Sequence, residues 1–238
     1  MSSVEVDLII ESSMKFYNDL KADKNGRYRS WEHCYSHFIK ARKSKEVDYD
    51  YLSLQLAFYL ASWGMYRGSS FLLQKDYKVH IPVVKELLKN KYDALAGIDC
   101  IGLKDDSNQK LLQDINSFLE KYYDKIRKNV KGQELKNELS STLITKILMG
   151  TLGCVPAYDR YFIAGIKNQK VATENYNIDS IMQLVDFYKD NSARLESVRK
   201  KMKVKGMPYP QMKLLDMGFW QIGYKQMNKD CTLGETHG

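Results

Sequence analysis

The amino-acid sequence predicts an all-α fold, a single globular domain of about nine or ten helices. Three observations carry this expectation. Apolar residues recur at three-to-four spacing through most of the 238 residues. Strand signals are nearly absent, with no Asn-Gly turn between alternating β-branched runs. A hydrophobic content of 44%, including 12% aromatic residues, is ample for a core and excludes disorder as the main state.

The elements follow from local signals. Val4, Leu8, Ile9, Phe16, Tyr17 and Leu20 mark a first helix that Asn25-Gly26 stops. Ser30 is a suitable N-cap for a helix over Trp31 to Ala41, and Asp50 for an apolar helix from Tyr51 to Met65. Pro82 fits the first turn of a helix reaching Lys91. Ser107 opens an amphipathic helix with Leu111, Ile115, Phe118, Leu119, Tyr122 and Ile126 on one face. After a turn near Gly132, a helix is expected from Leu135 to Met149. Pro156 breaks that run, and a further helix covers Ala157 to Lys167. Asp179 caps a helix that reaches a basic run, the turn at 206–210 ends it, and a last helix spans Gln211 to Met227.

The charged connector 42–48 sets off 1–41 as an N-terminal helical pair, a candidate subdomain, from a main body over 50–228. A mobile tail is expected at 229–238. No secretory leader and no run of roughly 20 apolar residues is visible. Four scattered cysteines without a CxxC pair suit a reducing compartment, so a cytoplasmic protein without membrane contact is expected.

The formal charge is +8, and its distribution is uneven. Residues 51–97 carry +3 and residues 191–238 carry +5, while the rest balances to zero. The densest run is Arg199-Lys-Lys-Met-Lys-Val-Lys205, five basic residues without an acid. At a helix end such a run complements the dipole; it equally suits phosphate, with Lys213 and Lys225 adding charge farther on.

Two glycine-bearing stretches, Leu60 to Phe71 and Leu148 to Phe162, place polar residues beside aromatics. In the first, Arg67 stands between Gly64 and Gly68, where a guanidinium can grip phosphate or pair with an acid such as Asp159. In the second, Asp159 follows Cys154-Val-Pro-Ala-Tyr158. A carboxylate there can cap a helix or line a cleft as a general base, with Tyr158 and Tyr161 nearby. The glycines also suit tight turns and helix crossings. His33 and His37 lie one helical turn apart, but the intervening residues lack the HExxH arrangement, and no metal or cofactor is expected.

The block from Thr145-Lys-Ile-Leu to Val155-Pro-Ala-Tyr-Asp159 resembles the later part of the helix-hairpin-helix motif of DNA glycosylases. The resemblance spans about fifteen residues. It implies an all-α fold, a catalytic Asp159, and Lys146 on the second helix of the hairpin. The family's phosphate-binding glycine hairpin is missing, since Leu139-Ser-Ser-Thr-Leu143 stands in its place. The two glycine-bearing stretches are also similar to those of bacterial proteins of this length.

The leading expectation is a protein that binds DNA or RNA, a divergent base-excision enzyme if Asp159 is catalytic. Nucleic acid would be held by Arg67, Lys146, Tyr158, Arg160, Arg199, Lys200, Lys201, Lys203 and Lys205. Trp63 and Tyr161 would touch a base, which such enzymes must extrude. Two alternatives stay open: a non-enzymatic helical interaction module meeting a protein partner or a second copy, and a helical domain with a small-molecule pocket.

Overall fold

The computed structural model describes residues 3–68, 70–130 and 139–234, and ten α-helices make up most of that backbone. They are α1 (Ser3–Ala22), α2 (Ser30–Ala41), α3 (Tyr49–Ser62), α4 (Ile81–Leu87), α5 (Asp106–Lys128), α6 (Ser141–Thr151), α7 (Arg160–Gln169), α8 (Ile178–Asp190), α9 (Ser192–Arg199) and α10 (Gln211–Gly234). Short 3-10 turns join several of them. One antiparallel hairpin, β1 (Lys203–Val204) with β2 (Met207–Pro208), interrupts the helices. The all-α expectation holds.

Several caps fall beside the expected residue. Asp48, not Asp50, accepts the Tyr51 amide and opens α3. Asn177, not Asp179, accepts the Ser180 amide and opens α8. Ser30 does not cap α2: a 3-10 turn over Arg27–Arg29 runs straight into the helix and satisfies the Ser30 amide through backbone carbonyls. Helix α3 ends at Ser62 because Gly64, with φ +78°, turns the chain. Its neighbours close the motif, the Met65 amide donating to the Leu60 carbonyl (2.8 Å) and the Gly64 amide to the Ala61 carbonyl (3.0 Å). The start of the helix expected from Leu135 lies outside the described residues as far as residue 138, and α6 opens on a Ser140 cap. Helix α10 continues past Met227 to Gly234, and the rest of the expected tail, 235–238, lies outside the described residues.

The helical domain divides into two compact units, each assembled from non-adjacent segments. The first comprises Met1–Lys24, Gly97–Asp105 and Cys154–Gly238; the second comprises Asn25–Ala96 and Asp106–Gly153. Helices α1 and α2 fall in different units. The stripe Val6, Ile9, Phe16 and Leu20 of α1 packs with α10, whereas α2 packs with α3 and α6.

In the first unit, α10 is the axis, with α7 and α1 against it. Two glycines set the approach of α7. A Cβ on Gly165 would collide with the Phe219 carbonyl, and one on Gly223 with the Tyr161 carbonyl. On the α1 side, a Cβ on Gly218 would sit 2.7 Å from Ser13 Oγ. That hydroxyl donates to the Ile9 and Leu214 carbonyls at 2.7 and 3.1 Å. A buried ion pair fixes the incoming chain: Asp216 accepts Lys213 Nζ (2.7 Å) and the Ala157 amide (2.9 Å).

The second unit is built around α6, where every residue from Leu143 to Thr151 is buried. A helix buried on all sides must satisfy its polar side chains internally. Thr145 and Thr151 donate to carbonyls one turn back, at 2.9 and 2.8 Å. Trp31 Nε1 donates to the Met149 carbonyl (3.0 Å), and the Tyr59 ring lies where a Cβ on residue 150 would have to sit.

Gly223→Ala tests the crossing. In a helix interior this change ordinarily gains about 1 kcal/mol from propensity. Here the colliding atom is a backbone carbonyl, which cannot rotate away, so a net loss of about 2 kcal/mol or more is expected. Urea unfolding of Gly223→Ala and Gly165→Ala measures it. A stabilised variant would refute the close approach.

Candidate functional site

The basic run is not one helix end. Arg199 closes α9, Lys200 caps it, and the chain then turns into the hairpin. Lys205 and Gly206, at φ +46° and +83°, form its two-residue turn; paired left-handed residues match the twist of the flanking strands. Met202 and Val204 point into the core, and Lys200, Lys201, Lys203 and Lys205 are exposed. No carboxylate lies within ion-pair distance of these four lysines among the described residues. Tyr17 of α1 braces the hairpin, its hydroxyl donating to the Lys201 carbonyl (3.5 Å) and accepting from the Lys203 amide (3.3 Å). Lys21 adds an ammonium, 3.4 Å from the Lys203 carbonyl and 5.2 Å from the Tyr17 ring centre.

Arg199 departs from the group. Its Nε and Nη2 donate to both oxygens of Glu196 (2.7 and 2.8 Å), and its Nη1 to the Tyr209 carbonyl (2.7 Å). Glu196 also accepts Tyr188 (2.7 Å) and Gln211 (2.9 Å). Burial opposes ionisation of Glu196, but Arg199 and these donors together hold its carboxyl below the ordinary value. This guanidinium ties Glu196 of α9 to the Tyr209 carbonyl just before α10, unlike the exposed lysines that follow it.

Asp159 caps α7. Its Oδ1 accepts the Tyr161 and Phe162 amides, both at 3.1 Å, and the residue is 8% exposed. Tyr158 is fully buried, its hydroxyl 2.8 Å from Ser180 Oγ and its ring against Phe162 and Tyr176. Burial pushes its phenol well up, and no base can reach the ring without opening the core. Arg160 is exposed, its guanidinium 4.5 Å from the centre of the Tyr161 ring and bonded to the Tyr161 hydroxyl (2.5 Å). Lys213, expected to add surface charge, is instead the buried partner of Asp216.

Trp63 and Lys146 meet inside the second unit. The Lys146 ammonium donates to the Trp63 carbonyl (2.8 Å) and sits 5.7 Å from the indole centre. At 4% exposure it anchors the end of α3 to α6, where the nucleic-acid contact expected of it would need its ammonium to leave the Trp63 carbonyl. Tyr28 and Tyr59 flank the indole. Arg67 is exposed and folds its side chain over Gly64, where a Cβ would lie 3.0 Å from its Nε. Arg67 belongs to the second unit and Asp159 to the first.

One cluster escaped the sequence reading. His80 is fully buried in the second unit, Nε2 2.7 Å from the Tyr66 hydroxyl and Nδ1 2.6 Å from that of Tyr123. A neutral imidazole has one donor and one acceptor nitrogen, so one phenol donates and the other accepts. Burial lowers the imidazole to about 4. Burial and the Asp76 charge raise Tyr66 to about 12. The partners stand 14 residues before and 43 after His80, so no local pattern announces them.

Among the described residues, no group of three or more His, Cys, Asp or Glu could hold a metal, and no helix is long and apolar enough to cross a membrane. An open depression of about 450 Å³ in the first unit is lined by Lys167, Lys170, Thr173 and Glu174. It is open and bridged by the Lys167–Glu174 ion pair (2.9 Å), unlike the enclosed pocket that a small molecule favours.

Two expectations follow. Asp159→Ala should cost about 1–2 kcal/mol and Asp159→Asn little, because asparagine caps equally well; thermal unfolding of both separates a cap from a required charge. His80 takes up a proton more readily unfolded, near pH 6.5, than folded, near 4. Its contribution is therefore complete above pH 6.5 and is lost as the pH falls toward 4, by up to about 3 kcal/mol. Urea midpoints at pH 7.5 and 4.5 should differ less in His80→Gln than in the parent chain. Comparison with protein-family models, with curated proteins and with solved structures yields no match for this chain.

Proposed function

We propose that the chain binds nucleic acid without sequence preference, through the lysine hairpin of the first unit. The observation that carries this reading is the display of Lys200, Lys201, Lys203 and Lys205 at a short hairpin that Tyr17 contacts, exposed and without carboxylate partners among the described residues. Ammonium groups so placed give up little hydration to meet phosphates, and binding gains from released counterions. Asp159 is not what supports it, since its Oδ1 holds two amides of α7. Arg160 and Lys21 widen the basic surface of the same unit. The proposed location is the reducing cytoplasm, which the buried, unbridged thiols of Cys34 and Cys100 support.

If each of the four lysines neutralises one phosphate, affinity should fall roughly 50- to 150-fold between 50 and 200 mM salt. Fluorescence anisotropy with labelled mixed-sequence DNA and RNA measures this. Replacing the four lysines with glutamine should weaken binding at 50 mM salt and flatten the salt dependence. Absence of binding by the parent chain at low salt would defeat the reading.

A second reading, a helical interaction module, is favoured by one observation. Tyr51, Leu54 and Phe58 of α3 are 40%, 47% and 58% exposed at i, i+3, i+7 spacing, forming an apolar stripe on the second unit.

A further inference from the structure

We infer that the aromatic ledge at the α7–α10 crossing stacks an unpaired base, with Tyr224 as the platform and Arg160 and Lys225 beside it. The inference rests on the nucleic-acid reading above and narrows its substrate to single strands. A ladder of rings runs outward from the core of the first unit. Phe16 meets Trp220 edge-on (5.5 Å, 81°), and Trp220 stacks flat on Tyr224 (5.0 Å, 8°). Tyr161 meets both Trp220 and Tyr224 edge-on, at 5.2 and 5.3 Å. Phe16 and Trp220 are buried, whereas Tyr224, the last rung, is 38% exposed.

A single exposed tyrosine is ordinary on a protein surface. Three further observations distinguish this one. Its ring is held parallel to a buried indole, so its orientation is set before any ligand arrives. Its backbone neighbour Gly223 is in contact with the Tyr161 carbonyl, which fixes the two tyrosines on one rigid crossing. Charge flanks it, with Arg160 pinned over Tyr161 and Lys225 exposed at the next position. A fixed aromatic face beside cations is what a nucleobase and its phosphate require together.

The ledge and the lysine hairpin are braced by consecutive residues of α1: Phe16 supports the ladder, and Tyr17 supports the hairpin. Only an unpaired base can offer a ring face to the platform, since duplex bases are already stacked on both sides. The hairpin, which meets phosphates, accepts either form. Single strands should therefore bind through both features and duplexes through the lysines alone.

The test is anisotropy at 50 mM salt with a labelled oligothymidylate of about twenty nucleotides and a duplex of the same length. Tyr224→Ala should weaken single-strand binding at least roughly fivefold and leave duplex binding and both salt dependences unchanged. Tyr224→Leu, which keeps apolar bulk without a ring, should behave as Tyr224→Ala, and Tyr224→Phe should retain the parent affinity. Circular dichroism and melting temperature establish that each variant is folded. Equal weakening on both probes, no weakening, or full affinity in Tyr224→Leu would overturn the inference. Loss of both probes in the four-lysine variant, with the Tyr224 variants unaltered, would leave the hairpin reading standing and remove the ledge. Binding of neither probe by the parent chain would overturn both.

Discussion

The close crossing of α7 and α10 is the constraint on which the first unit depends. Glycine inside a helix forfeits about 1 kcal/mol relative to alanine, and this unit accepts that loss at Gly165, Gly218 and Gly223. In return, backbone meets backbone at the Tyr161 and Phe219 carbonyls. This leaves the remaining faces of α10 free for α1 and for the segment that enters α7. The position of Tyr161 beside Tyr224 is set by the same approach. So is the course of the chain from Cys154 to Asp159, which is tied to α10 through the Ala157 amide and Asp216. A looser crossing would move the cap of α7 and both tyrosines together.

Each unit buries both charged and neutral polar groups. In the first unit Lys213 pairs with Asp216, and Arg199 with Glu196. Such pairs offset the desolvation of their charges only when the remaining donors and acceptors are also met. Asp216 meets this condition with an amide, and Glu196 with Tyr188 and Gln211. In the second unit Arg29 pairs with the buried Glu32, and His80 sits as a neutral imidazole between two phenols. The exposed lysines of the hairpin differ from these groups in having no carboxylate within ion-pair distance among the described residues.

The helices were legible in the sequence because a 3.6-residue apolar period survives without knowledge of tertiary partners. Their exact starts were not. Asp48 and Asp50, or Asn177 and Asp179, are equally good caps by type, and only the backbone angle of the preceding turn selects between them. The hairpin was invisible because two-residue strands have no period to read. Charge misled in one direction. Lys146 and Lys213 read as surface groups, yet each is buried by a partner: the Trp63 carbonyl 83 residues away for Lys146, and an acid one helical turn away for Lys213. Asp159 was legible as a cap, which its position after Pro156 suggested. The ledge was half legible: Tyr161 and Arg160 stand beside Asp159, whereas Tyr224 lies 63 positions later, in another helix, with no local signal linking it to them.

The pairing of α1 with α10 has a bearing on how the chain is made. About 190 residues separate the end of α1 from the start of α10. At a synthesis rate of 5–20 residues per second, α1 spends roughly 10–40 s on the ribosome before its packing partner exists. During that interval Val6, Ile9, Phe16 and Leu20 have no α10 to cover them. The second unit is complete once Gly153 has emerged, so it can fold while the first is still waiting. The chain thus acquires its shape from the middle outward, and its earliest helix is among the last to find its place.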